Sequence, residues 1–155
     1  MFRRALKSKY LHALFCFSAA VQTSTLFSAQ YTVNSTSDNP ATVGSLRNAI
    51  NQANNTAGTN TILIDLPSGS TITLSSFGLP PIGLNITSIT TTNPVAINGG
   101  SALQAFFIKP NASVQLGGNI QLQQTASIGG TGGEGSGSGG GALGGGGGLF
   151  VGTGA

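Results

Sequence analysis

The sequence predicts an all-β architecture: a right-handed parallel β-helix, incomplete at about three to five rungs, with an amino-terminal capping α-helix and a flexible glycine-rich carboxyl-terminal tail. Three observations lead there. From position 61 onward, apolar residues alternate with polar ones in short runs separated by Asn, Gly, Ser and Pro. Similar runs recur at intervals of roughly twenty residues, the size of a solenoid repeat. A single segment with helical spacing precedes them all.

Positions 1–29 read as a secretory signal peptide. Arg3, Arg4, Lys7 and Lys9 form a basic start, and an apolar run follows from Leu11 to Val21, interrupted only by His12 and Ser18. That run is shorter than the about 20 apolar residues a membrane-spanning helix requires. Ser18-Ala19-Ala20 and the stretch ending at Ala29 both offer small residues for cleavage. Cys16 lies between Phe15 and Phe17, inside the apolar run, so it reads as an ordinary leader residue and not as a lipid anchor.

Removing this leader changes the chemistry of the 155-residue chain, whose length suits one domain. Four of its six basic residues go with the leader. Arg47 and Lys109 then face Asp38, Asp65 and Glu134, a net charge of −1. Nucleic-acid binding needs several basic residues on one face, so that class is excluded. His12 and Cys16 are the only His and Cys, which leaves positions 30–155 without a disulfide, a Cys/His zinc site or a His-based triad.

The body, residues 30–128, begins with a candidate strand at Tyr31-Thr32-Val33 and a turn over Ser37, Asp38, Asn39 and Pro40. Leu46, Ala49, Ile50 and Ala53 then fall at i, i+3, i+4 and i+7, one apolar helix face. Gly44 or Ser45 can start this helix over 45–54, and Gly58 lies just past its end. Its apolar face would lie over the end of the core, with Arg47, Asn48, Asn51 and Gln52 outside, as a solenoid cap requires.

Beyond it, the pairs Ile62/Ile64, Ile72/Leu74, Leu84/Ile86, Val95/Ile97, Val114/Leu116 and Ile120/Leu122 alternate with period two. Val95-Ala96-Ile97-Asn98-Gly99-Gly100 and Val114-Gln115-Leu116-Gly117-Gly118-Asn119 are loosely alike at an offset of 19, and Ile72 precedes Val95 by 23. A β-sandwich would fit the alternation but gives no reason for a repeat of this size. Asp65 is read as pointing outward, the other reading being a partner for Arg47.

The tail, residues 129–155, holds 16 of the 25 glycines and should be flexible, with Leu149-Phe150-Val151 as one short β-like run. Gly135-Ser136-Gly137-Ser138-Gly139-Gly140 fits a dinucleotide-binding pattern but follows no βα unit. Gly132-Gly133-Glu134-Gly135 resembles the start of a calcium-binding nonapeptide, yet Gly137 stands where that repeat needs a carboxylate. Asn34, Asn54, Asn85 and Asn111 begin Asn-x-Ser/Thr sequons, which a chain rich in these residues produces by chance.

Gly44-Ser45-Leu46-Arg47-Asn48-Ala49-Ile50-Asn51-Gln52-Ala53-Asn54 resembles the CSLREA-type motif of exported bacterial β-helix proteins. The strand-like Asn60–Leu66 segment, Gly69-Ser70-Thr71-Ile72-Thr73-Leu74 and Leu79-Pro80 are similar to the strands and turn that come after the motif in that family. The likeness covers roughly residues 31–116, and departs with Gly44 for the Cys and Asn48 for the Glu. The glycine-rich continuation resembles passenger domains of autotransporters, in particular polymorphic outer-membrane-type proteins of chlamydia-like bacteria. The resemblance implies a surface-displayed, adhesin-like passenger held by an outer-membrane barrel. No series of barrel-like strands follows position 128. The chain is therefore expected to be the amino-terminal piece of a longer passenger, or a truncated gene product without independent function.

The expected role is thus non-enzymatic, in an exported protein at the cell surface or outside the cell, without a membrane span once the leader is gone. No catalytic, cofactor-binding or metal-binding residue is assigned. A β-helix lyase or hydrolase is the enzymatic alternative, but a hydrolase needs converging carboxylates, and Asp38, Asp65 and Glu134 sit on different elements. A protein or glycan is the expected class of surface partner. Self-association is expected too, because residues 112–122 contain neither charge nor proline to guard a strand edge.

Overall fold

The computed structural model describes residues 27–75, 77–126 and 147–155, and among them the fold is mainly β with one short helix. In chain order the elements are β1 (Gln30–Val33), α1 (Leu46–Asn55), β2 (Asn60–Ile64), β3 (Ser70–Thr73), β4 (Ile86–Thr91) and β5 (Val95–Asn98). They continue with β6 (Phe106–Ile108), β7 (Gln115–Leu116), β8 (Ile120–Gln123) and β9 (Leu149–Val151).

Three sheets form, ordered β1-β2-β4-β7, β3-β5-β8 and β6-β9, and every pair is parallel. From β2 onward the chain visits them in fixed rotation, with Ile82 bridging to Ile108 where the third sheet begins. Ile62 lies beside Ile89 and Ser88 beside Gln115, so in the first sheet one circuit advances the numbering by 27. Ser70 lies beside Val95 and Val95 beside Ile120, so in the second sheet the advance is 25.

These registers correct the expected repeat. Val95 and Val114 are not stacked neighbours, since Val95 pairs with Ile120 and the segment after Val114 pairs with β4 in another sheet. Ile72 pairs with Ile97, not with Val95. The Gly-Gly turns after the two segments are alike locally, but stacking is set by the length of a full circuit.

Parallel stacking places like side chains in columns. Ile62, Ile89 and Leu116 form one, and Ile72, Ile97 and Leu122 another. The early members are fully buried in one continuous core with Val33, Ile64, Ile82, Ile86 and Phe106. Burying each such side chain contributes about 1.5–3 kcal/mol. Leu84 is a correction: it is 67% exposed in the turn before β4. In the tail, the β-like run Leu149–Val151 is a strand, paired with β6, and Phe150 stacks on Phe107 with ring centroids 5.1 Å apart, while residues 127–146 lie outside the described residues.

The helix occupies the stretch between β1 and β2, packing on β1, β2 and β4. Leu46, Ala49, Ile50 and Ala53 are its buried residues, as its spacing predicts. Ser45 is the N-cap, its Oγ accepting from Asn48 N at 3.1 Å. At the other end Asn60, itself fully buried, donates from Nδ2 to the Ala53 and Thr56 carbonyls, closing groups that a helix leaves open. No helix among the described residues is long and apolar enough to cross a membrane.

The two ends of the stack differ. Near the helix Ile72 is fully buried, whereas Leu122 at the far end of the same column is 37% exposed and Val151 is 51% exposed. Gln115–Leu116, Ile120–Gln123 and Leu149–Val151 are each the last strand of their sheet among the described residues.

Candidate functional site: a cleft beside the helix

A concavity lies where the 36–40 turn, the outer side of α1 and the segment after β3 meet. Its volume is about 820 Å³, within the range of small-molecule sites. The turn is built by short side-chain bonds: Ser37 Oγ accepts from Asn39 N, and Asn39 Oδ1 accepts from Ala41 N.

The floor of the cleft is an ion pair. Arg47 donates from Nε to Asp38 Oδ1 at 2.9 Å and from Nη2 to Oδ2 at 3.0 Å. The two side chains are only 11% and 5% exposed. Helical spacing puts Arg47 on the outer face of α1, and it is there, but the 36–40 turn and the 77–78 backbone fold over it. Two further donors, one on Nη2 and one on Nη1, reach the Phe77 and Gly78 carbonyls at 2.7 and 2.8 Å. Asp38 Oδ2 also accepts from Ser75 N and Ser75 Oγ. This network joins turn, helix and β3 exit through charge-assisted hydrogen bonds.

Asn54 performs the same service further along the helix. Its Nδ2 donates to the Pro81 carbonyl at 2.8 Å and its Oδ1 accepts from Gly83 N at 2.9 Å. The side chains of α1 thus supply partners to the backbone of the 77–83 segment. Asn85 in turn donates to the Asn54 carbonyl. Two of the four sequon asparagines are therefore structural members of the helix contact.

The three acids do not converge. Asp38 is committed to Arg47 and Ser75, while Asp65 is exposed and accepts from Thr92 Oγ1 at 3.3 Å. Arg47 is paired by Asp38 and not by Asp65. Glu134, the glycine pattern at 135–140 and most of the leader lie outside the described residues. No three of His, Cys, Asp and Glu gather among the described residues.

A second hollow, about 320 Å³, opens at the far end of the stack between Ile108, Val114, Leu116, Leu149 and Val151. It continues the core at this end and is open among the described residues. The chain matches no protein-family model, no curated protein and no solved structure.

Proposed function

We propose that the chain is a non-enzymatic, amino-terminal passenger segment of an exported right-handed parallel β-helix, presenting its polar outer surface to a protein or glycan. One observation carries the reading: strands of two sheets recur at offsets of 25 and 27 in parallel register, behind a single helix that packs on the first of them. Right-handed winding follows from the strong preference of parallel crossovers for that hand. Each circuit adds outward side chains such as Thr71, Asn98, Gln121 and Gln123, giving a long neutral surface.

The basic start and the Leu11–Val21 run support export. The resemblance of residues 44–54 to the CSLREA-type motif supports display at a cell surface. The test is expression of the whole chain with its own leader in a diderm bacterial host, followed by fractionation and mass spectrometry. The expected amino terminus lies between Val21 and Tyr31, on protein outside the cytoplasm. Cytosolic protein that retains Met1 would overturn the export reading.

A further inference from the structure

We propose that the cleft beside α1 is a binding site for a neutral oligosaccharide. The inference goes beyond surface display and stands on the cleft alone.

The walls carry two kinds of surface. Phe77 is 75% exposed at the cleft, and Pro40 and Pro80 line it with further apolar area. Facing them are Thr36, Asn51 and Thr73, whose side chains make no hydrogen bond among the described residues. Two hydroxyls and one carboxamide therefore stand ready as both donors and acceptors. Their neighbours Ser37, Asp38, Asn39 and Ser75 are held by internal bonds, so the loops that present them are fixed before a ligand arrives.

A sugar ring has matching chemistry. One face offers C–H groups to an aromatic ring, and the rim offers hydroxyls that donate and accept. The charge of the site selects among sugars. Asp38 and Arg47 neutralise each other, and four of the five Arg47 N–H donors are taken up by Asp38 and by two backbone carbonyls. A uronate, a sialylated glycan or a phosphate would find no available cation here, whereas a neutral oligosaccharide needs none.

The experiment is NMR titration of the whole chain with cellulose-, chitin- and mannan-derived hexasaccharides, with polygalacturonate as the acidic comparator. At least one neutral probe should shift the backbone amides of Thr36, Asn51, Thr73 and Phe77 together. Phe77→Ala and Asn51→Ala should each weaken that probe by about tenfold while thermal stability stays unchanged, since both side chains project into the cleft. Absence of shifts with all three neutral probes at millimolar concentration would overturn the proposal. So would shifts that survive both substitutions, or polygalacturonate binding as tightly as the neutral probes. None of these results bears on whether the chain is exported, which the terminus measurement decides separately.

Discussion

Arg47 and Asp38 meet through two parallel hydrogen bonds of 2.9 and 3.0 Å and are almost fully covered. The pair ties the turn before the helix to the helix itself, and each partner also reaches a third segment, at 75 and at 77–78. Removing one partner leaves the other charge poorly solvated. Arg47→Ala and Asp38→Ala should each cost about 3 kcal/mol in urea titration, and the double variant should cost much less than the sum. Arg47→Lys should rescue little, since an ammonium cannot span a carboxylate and two carbonyls in one plane. Additive single costs would show that the two residues act separately.

The helix contact can be probed from its apolar side. Ile50 is fully buried and Gln52, two positions on, is exposed. Ile50→Asp should destabilise the chain by several kcal/mol, and Leu46→Asp should do the same, while Gln52→Asp stays within about 0.5 kcal/mol of the parent. Equal stability of the three variants would mean that α1 does not close this end of the core.

Gly69 and Gly118 both hold a left-handed φ, +80° and +76°, but a side chain at Gly118 would run into the Thr91 carbonyl whereas one at Gly69 meets open space. Gly69→Ala should cost about 1 kcal/mol from backbone conformation alone, and Gly118→Ala clearly more. Thermal melts of the two variants compare them directly. A Gly118→Ala variant no less stable than Gly69→Ala would contradict the close approach of this turn to the Thr91 backbone.

The last strands of the three sheets carry neither charge nor proline, so they lack the features that keep strand edges apart. The whole chain should sediment with increasing mass as its concentration rises. Gln115→Lys puts a charge on an exposed edge position and should reduce that association without loss of fold. A parent chain that stays monomeric at high micromolar concentration would show that this edge is already covered.

Parts of this architecture are legible from residue order. The buried face of α1 follows from spacing alone, and the inward positions Ile62, Ile64, Ile72 and Ile97 follow from alternation. Leu84 misleads because one polar residue between two apolar ones mimics a strand where the chain is still turning. The true stacking interval is hidden because it depends on the length of whole circuits, while the turn chemistry at Gly99-Gly100 and Gly117-Gly118 is local and repeats out of step. The cleft is hidden for a related reason. Asp38 and Arg47 have no helical or strand spacing, and only the turn between them brings them together. Asn60 reads as the first residue of a strand-like segment, and nothing nearby signals that its amide closes the end of a helix.

Phe106 and Leu149 sit side by side at an offset of 43, far beyond the 25 and 27 of the other two sheets from β2 onward. The registers on both sides of the connection are held by backbone pairing, β5 with β8 before it and β6 with β9 after it. The surplus length therefore enters between β8 and β9 alone and displaces no other pair. Step between neighbouring strands is thereby set by backbone pairing and not by the number of residues spent between them, so the columns on either side stay aligned across intervals of unequal length.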